Sequence, residues 1–398
     1  MSKMGRLSSR RTDTGPHGGD PVSGDNARRP CRTICASGEE FGVDKLRDCS
    51  RSRPVQRALT LRWLALIAAG LLAAGAAAGD SRDDAPLRIH GVNYPGDLPT
   101  LIADENGLFR EHNLDITVAR ATSGSNNIEA LRTGDTDLAL MALTPFVLER
   151  LRTPDTAGPD VPVILASLVH STRLNDVVVA ADGEIGAPRD LAGRRVGFDH
   201  GTNSEYLWWL FTILHGLDPD AVTLVDYPVA ELGRALTTDA IDAAVIWEPW
   251  TTLAADAMPS GLERLPGGDI YTEKWVLVAT QRLVRERPQA IRDLLASYHT
   301  AIEWIDAYPE QAFARFAATA GISEGTAQGK IDQVLFGLSL DWSLIAELQQ
   351  HVDWARATGQ DVGVTDTDLL AWIAAEPLRA TLPAAVSIPR RADGGDQP

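Results

Sequence analysis

Residues 190–211 read DLAGRRVGFDHGTNSEYLWWLF. A short apolar run ends in the small polar cluster HGTNSE (200–205), and a dense hydrophobic segment closed by Gly216 follows. This order predicts a strand whose carboxyl end leads directly into a helix. In open α/β sheets, ligands lie beyond the carboxyl ends of strands and close to helix N-termini. The stretch therefore predicts one half of a binding site for a small molecule.

Strand and helix patterns alternate on both sides of this stretch, in two runs separated by DGEIGAPRDLAG (182–193). Such alternation predicts parallel sheets with crossover helices, and two runs predict two α/β lobes. The segment DLPTLIADENGLF (97–109) is predicted to be one helix. KWVLVAT (274–280) is predicted to be a further strand, and everything after it to be helical, including DTDLLAWIAAE (366–376).

Four loops follow predicted strands and supply small hydroxyl or amide side chains beside exposed backbone N–H groups. Because they occupy the same kind of sheet edge, we expect them to line one cleft. Ordinary helix capping favours the same residue types and is the alternative explanation for each loop alone. The loops are YPGD (94–97), TSGSNN (122–127), LTPF (143–146) and HGTNSE (200–205).

The charge distribution argues against nucleic acid as a partner. Residues 1–79 carry 13 Lys+Arg and 7 Asp+Glu, whereas residues 80–398 carry 24 and 47. An acidic body lacks the clustered Lys and Arg that phosphate contacts require. The three cysteines, Cys31, Cys35 and Cys49, precede this body, and the eight histidines show no ligand spacing. We therefore expect no metal site, no cofactor and no thiol nucleophile.

The start of the chain is typical of a secretory leader. Within residues 55–79, Arg57 and Arg62 precede an apolar stretch and small residues up to Ala78, where cleavage is expected. The apolar stretch is short for a bilayer span, although an uncleaved anchor is the alternative. No Cys follows it, so we expect a periplasmic protein that uses the general secretion route and is not a lipoprotein.

Residues 1–54 are polar, lack hydrophobic periodicity and are predicted to be disordered. Because a leader normally stands at the true N-terminus, we expect translation to start later, at about Val55 if its codon is GTG.

Five collinear segments within residues 87–310 resemble the solute-binding proteins of ABC transporters, specifically the nitrate/sulfonate/taurine (NMT1/THI5-like) family, which includes binders of thiamine precursors. Three positions depart from the family pattern: Asn113 and Asp239 stand where Gly is usual, and Arg194 stands where Lys is common. The segments are NGLFREHNLDITV (106–118), EALRTGDTDLAL (129–140), DLAGRRVGF (190–198), RALTTDAIDAAVIWEPW (234–250) and VLVATQRLVRERPQAIRDLLASYHTAIEWI (276–305).

The resemblance implies the type II periplasmic binding protein fold, with two α/β lobes joined by two crossing strands. Lobe 1 would comprise residues 86–179 and 273–390, and lobe 2 residues 180–272. The lobes would close around a small-molecule ligand, and an ABC permease with its ATPase would recognise the closed monomer. No chemistry is expected.

The resemblance also suggests which side chains face the ligand. Lobe 2 would contribute helix-start residues and a Trp–Glu pair, and lobe 1 the loops that follow its strands. Adjacent Trp208 and Trp209 point in different directions on one helix, and both are expected to pack. The expected ligand-binding residues are Tyr94, Asp97, Ser123, Ser125, Asn126, Thr144, His170, Thr202, Asn203, Ser204, Trp247, Glu248 and Trp275.

The sequence leaves the solute open. Helix N-termini favour an anion, and the family favours a sulfonate-, nitrate- or taurine-like solute. However, the expected cleft contains Asp97, Glu205 and Glu248 and no obvious Lys or Arg. A zwitterion, or a neutral heterocycle that hydrogen-bonds Glu248 and stacks on Trp247, fits these residues at least as well. We therefore expect a sulfonate on the resemblance alone, with a pyrimidine-type thiamine precursor or another aromatic solute as the alternative.

Two rival functions follow from the same residues. Ser204 lies near His200, but a hydrolase would also need a nucleophile elbow such as G-x-S-x-G. Alternatively, the receptor could report its ligand to a membrane sensor instead of a permease.

Overall fold

The computed structural model describes residues 85–153, 158–331, 334–360 and 367–390 of the 398-residue chain. These ranges belong to one compact unit, Ala77–Pro398. The expected disordered extension (1–54), the expected signal peptide (55–79) and all three cysteines lie outside the described residues.

Strands and helices alternate along the described chain. Its strands are β1 (Leu87–Val92), β2 (Ile116–Ala121), β3 (Leu138–Ala142), β4 (Pro162–Ser171), β5 (Asn175–Ala180), β6 (Arg195–Phe198), β7 (Thr223–Asp226), β8 (Ala243–Trp247), β9 (Leu262–Arg264), β10 (Glu273–Thr280) and β11 (Leu335–Ser339). Its helices are α1 (Leu98–Glu105), α2 (Leu108–Glu111), α3 (Gly124–Thr133), α4 (Leu143–Arg152), α5 (Asn203–His215), α6 (Val229–Thr237), α7 (Trp250–Ala257), α8 (Gln281–Glu286), α9 (Pro288–Ala307), α10 (Pro309–Ala320), α11 (Glu324–Ile331), α12 (Trp342–Ala357) and α13 (Ala375–Thr381).

The strands form two separate sheets, which confirms the predicted two-sheet α/β fold. The first sheet has the order β11-β4-β10-β3-β1-β2 and the second the order β7-β6-β8-β5-β9. Parallel pairs such as β1/β3 and β6/β8 follow from crossover helices. Every residue of β3 and of β8 is buried, as expected for strands inside a sheet that is covered on both faces.

The chain crosses between the sheets twice. It leaves the first sheet after Ser171 and joins the second at Asn175, and it returns after Arg264 to rejoin the first at Glu273. β5 pairs with β8, so the first crossing lies a few residues before the expected boundary at 179. β10 is antiparallel to both of its neighbours, β3 and β4, because it arrives from the other lobe instead of through a crossover helix.

The backbone explains two departures from the family pattern. Asn113 has φ 59° and Asp239 has φ 53°, and both stand where the family usually has Gly. These φ values lie in the left-handed region, which Asn and Asp tolerate better than most side chains. The two positions therefore keep the local turn that a glycine would form.

Three local predictions were wrong. The predicted helix at 97–109 is interrupted at Gly107, whose φ of 73° starts a new helix. Residues after β10 are not all helical, because Leu335–Ser339 pairs with β4 at the edge of the first sheet. The predicted helix at 366–376 is not continuous in its described part: a short turn at Leu369–Trp372 ends at extended Ile373, which bridges Ile164, and α13 begins only at Ala375.

Helix α12 reaches across to the second lobe. The rings of His351 on α12 and Tyr206 on α5 stack with centroids 3.9 Å apart. Gln360 Nε2, just beyond α12, donates to Glu205 Oε1 at 2.6 Å. These contacts hold the two lobes together in the described conformation. Within the described ranges, every helix is too short or too polar to cross a bilayer.

Candidate functional site

A small cavity of about 10 Å³ lies where the strand ends of the two sheets face each other. Its position follows from the topology, because the carboxyl ends of parallel strands in each sheet meet at one edge. The second lobe contributes Thr202, Asn203 and Trp247. The first lobe contributes Val92, Tyr94, Ser123, Gly124, Ala142, Pro145, Glu273 and Trp275.

Aromatic rings form much of the cavity wall. Tyr94 and Trp275 are in contact, with ring centroids 4.7 Å apart and planes inclined by 42°. Trp247, at the end of β8, faces them from the second lobe. All three side chains are buried. Because they come from both lobes, a flat apolar ring between them would contact the two lobes at once.

The acidic group of the cavity is Glu273, the first residue of β10. Its side chain is only 1% exposed. The Tyr94 hydroxyl and Asn175 Nδ2 both donate to Oε2, whereas Oε1 has no hydrogen-bond partner among the described residues. Burial raises the pKa of Glu273 to about 7, although the bonds from Tyr94 and Asn175 favour the charged form and oppose this shift.

A chain of hydrogen bonds links Glu273 to the second lobe. Asn203, the first residue of α5, donates through Nδ2 to Asn175 Oδ1 at 2.5 Å. Asn175, the first residue of β5, in turn donates to Glu273. Both Asn203 and Asn175 are buried. Asn175 therefore connects the carboxylate to the start of α5, which the sequence predicted to hold a ligand.

Two helix starts complete the cavity. Thr202 caps α5, and its hydroxyl accepts from Ser204 N at 3.3 Å. Ser123 stands at the start of α3, next to Gly124. A Cβ on Gly124 would lie 2.7 Å from Met141 Cβ, so only glycine permits this close approach of α3 to β3.

The structure brings together Tyr94, Ser123, Thr202, Asn203, Trp247 and Trp275 of the expected ligand-binding set. Other members brace this group instead of lining the cavity. Ser125 Oγ bonds Ser123 Oγ at 2.8 Å, and Asn126 Oδ1 accepts from Ser123 Oγ at 3.0 Å. The hydroxyl of Ser204 bonds to Asp199 O at 3.1 Å and to Thr202 Oγ1 at 2.9 Å.

Asp97 and Glu248, both expected to face the ligand, point away from the cavity. Asp97 accepts from Val92 N at 2.9 Å and from Thr100 Oγ1 at 2.5 Å, and burial raises its pKa to about 7. Glu248 accepts from the hydroxyl of Thr252 at 2.7 Å and pairs with an arginine of β9. Both carboxylates therefore fix local backbone structure.

Thr144 and His170 also lie outside the cavity wall. Thr144 is buried beside it, on α4, and its hydroxyl has no partner among the described residues. His170 Nε2 lies 2.7 Å from Lys274 Nζ, which is also 3.5 Å from Glu347 Oε1. Burial and the neighbouring lysine lower the pKa of His170, while burial raises that of Glu347 to about 7.

The same strand geometry explains why Glu273 lines the cavity and Lys274 does not. Successive side chains of a strand point to opposite faces, so Glu273 and Trp275 share the cavity face and Lys274 points away from it. The sequence prediction placed Trp275 of β10 at the site but began the strand at Lys274, and so it missed Glu273 on the same face. Asn175 was also missed, because its contact with Glu273 depends on how the chain crosses between the lobes.

The sequence also offered a hydrolase pair, His200 and Ser204, which the fold does not assemble. His200 Nδ1 pairs with Glu205 Oε2 at 3.1 Å, while the Ser204 hydroxyl is engaged at the start of α5. In the described part of the chain, no three His, Cys, Asp or Glu side chains form a cluster that could hold a metal ion.

Two α/β lobes that enclose a cavity at their facing strand ends form the periplasmic binding protein fold. The chain belongs to the NMT1/THI5-like family, whose sequence profile matches residues 95–312.

Known proteins show what this chain resembles. The formylaminopyrimidine-binding protein of Halalkalibacterium halodurans is 25% identical over 262 residues, which cover 64% of this chain and 77% of that protein. The periplasmic aliphatic sulphonate binding protein SsuA from Escherichia coli has the same fold (TM-score 0.61, 21% identity, 72% of this chain and 97% of that chain). A desulfurization enzyme, DSZB, also shares the fold (TM-score 0.56, 19% identity, 75% and 99%).

Proposed function

We propose that the protein is an exported receptor that closes its two lobes around a small, flat, nitrogen-containing ring and delivers it to a membrane ABC importer. The observation that carries this proposal is the composition of the cavity wall. It has three aromatic side chains and one buried carboxylate, and the described lining residues include no Lys, Arg or His.

The aromatic lining of the cavity favours a flat ring. The cavity of the described conformation holds only about 10 Å³, so its lining residues must move apart to admit a ligand. Tyr94, Trp275 and Trp247 offer flat apolar surfaces from both lobes. Aromatic contacts of this kind contribute about 0.5–1.5 kcal/mol beyond the burial of area.

The charge of the cavity disfavours the sulfonate expected from the family. An anion about 4 Å from an ionised Glu273 would be repelled by about 4 kcal/mol at the effective dielectric constant typical of protein sites. A helix N-terminus stabilises a nearby anion by about 0.3–1 kcal/mol, or by up to about 2 kcal/mol when partly buried. Repulsion therefore exceeds the attraction of the helix starts, and a sulfonate would bind well only with Glu273 protonated.

The family supports the remaining parts of the proposal. Its relatives include proteins named for binding a pyrimidine and for binding sulfonates, and SsuA is named as periplasmic. Periplasmic location and delivery to a permease with its ATPase are accordingly proposed for this chain. A membrane sensor is the competing partner for the closed form.

A calorimetric titration of the purified full chain tests the proposal. We expect 4-aminopyrimidine to bind more tightly than taurine or benzenesulfonate at pH 8, where Glu273 is mainly ionised. Sulfonate binding that is as strong at pH 8 as at pH 6, without any pyrimidine binding, would overturn the proposed ligand class.

The partner requires a second measurement. Deleting the gene should abolish uptake of the solute identified by titration. If the purified protein binds the solute but the deletion leaves its uptake unchanged, a sensor is the partner.

A further inference from the structure

One carboxylate oxygen of Glu273 makes no hydrogen bond to the described residues, and leaving a buried acceptor unpaired costs free energy. Glu273 lines the cavity, and its Oε1 is buried without a hydrogen-bond partner among the described residues. A buried acceptor left without a donor loses the hydrogen bonds that it made with water. A donor on the ligand would restore one of them.

The direction of this oxygen is fixed by its surroundings. Two donors, the Tyr94 hydroxyl and Asn175 Nδ2, hold Oε2. The backbone of Glu273 is also held, because it opens β10 opposite Ser171 of β4. In the ionised carboxylate, Oε1 is therefore preorganised as an acceptor and does not need to reorient when a ligand arrives.

The carboxylate also stands at the junction of the two lobes. Glu273 begins the strand by which the chain returns to the first sheet, and Asn175 begins the strand by which it entered the second. Asn203 at the start of α5 donates to the same Asn175. Asn175 thus connects the carboxylate to the part of the second lobe that faces the ligand.

We propose that Glu273 is the specificity-determining residue of the cavity: its Oε1 accepts a hydrogen bond from an N–H group of the ligand, and Asn175 positions it for this contact. The inference rests on the proposed function and narrows it to rings that carry a donor, such as an exocyclic amino group. A ring of equal size with only acceptors at that point would leave Oε1 unpaired and facing another acceptor.

A single substitution should invert this preference. Asn175 Nδ2 can only donate, so Glu273→Gln must place its amide oxygen where Oε2 stood. The amide nitrogen of the glutamine then occupies the position of Oε1 and presents a donor to the ligand. A ligand with an acceptor at that point becomes the better match.

The test compares 4-aminopyrimidine with 4-methoxypyrimidine, which accepts but cannot donate at the substituent, by calorimetry on the full chain at pH 8. We expect the native protein to prefer the amino compound by about 10- to 100-fold and Glu273→Gln to reverse the preference. Asn175→Ala should reduce the native preference at least about threefold. Glu263→Gln, a matched change at an exposed carboxylate of the second lobe, should leave it unchanged.

The outcomes separate this inference from the proposed function. If Glu273→Gln melts normally and still prefers the amino compound, Glu273 does not determine specificity. If Asn175→Ala keeps the full preference, Asn175 does not position Glu273. Equal native affinity for both compounds would overturn the specificity but leave the receptor for flat rings intact. Absence of binding of either compound, with sulfonate binding present, would overturn both proposals.

Discussion

Replacing Glu273 with glutamine should stabilise the protein, relative to the native chain, more at alkaline pH than at acidic pH. Burial raises the pKa of Glu273 from 4.5 to about 7, so the folded state holds a proton that the unfolded state has lost between these values. The native protein therefore loses stability as the pH rises from about 4.5 to 7. The loss is fully present above pH 7.

The size of the effect follows from the shift. A difference of about 2.5 pKa units at about 1.36 kcal/mol per unit corresponds to about 3 kcal/mol. Glutamine does not titrate and so avoids this cost. Its altered hydrogen bonds change the stability by an amount that does not vary with pH. Only the pH-dependent part of the difference reports on the buried carboxyl group.

Urea unfolding followed by circular dichroism at pH 4.5, 6, 7 and 8.5 measures this difference. We expect the stability of Glu273→Gln minus that of the native chain to increase by about 3 kcal/mol across the series. Glu263→Gln, at an exposed position, should show no such trend. A difference for Glu273→Gln that is constant with pH would refute the description of Glu273 as a buried carboxyl group with a raised pKa.

Three further substitutions test the fold around the site. Asp239→Ala should lower the free energy of unfolding by about 1 kcal/mol, because alanine is strained at φ 53°, whereas Asp239→Gly should not, as urea titration would show. Tyr206→Ala should remove the stack on His351 and destabilise the protein by about 3 kcal/mol, and small-angle scattering should show a larger radius of gyration. Gly124→Ala should clash with Met141 and weaken ligand binding at least about tenfold in calorimetry, while unaltered affinity would contradict the close packing of α3.

The fold was largely predictable because its main signals are local. Alternating strand and helix patterns mark the crossover units of both lobes, and residues such as Asn113 substitute for a glycine at a left-handed position. The short strand Leu335–Ser339 was missed because its pairing with β4 depends on distant residues. The extended backbone at Ile373 likewise depends on its bridge to Ile164.

The site was only partly predictable, because the sequence favoured Glu248 as the acidic contact whereas the structure places Glu273 in the cavity. Glu248 follows a strand and an aromatic residue, so the sequence favoured it as a ligand contact, yet its carboxylate is held by Thr252 on α7. Glu273 opens a crossing strand, a position that only the assembled lobes place against Tyr94 and Asn175. Helix starts are encoded locally, whereas the crossing of the chain between lobes is not.

Because the acidic contact is Glu273 and not Glu248, the expected chemistry of the solute changes. With Asp97 and Glu248 turned away, the acidity of the cavity depends on one carboxylate whose second oxygen is free of partners among the described residues. The helix starts at Ser123 and Thr202 supply polar groups but no formal positive charge. A ring with a hydrogen-bond donor can pair with Glu273 Oε1 and also contact the polar groups of the helix starts. A sulfonate can contact only the helix starts.

A crystal structure of the full chain with 4-aminopyrimidine shows directly whether Glu273 recognises the ring. We expect the ring between Trp247 and the Tyr94–Trp275 pair, with its amino nitrogen within about 3.2 Å of Glu273 Oε1. A ligand bound outside this cavity, or inside it with Glu273 Oε1 still unpaired, would contradict recognition by Glu273.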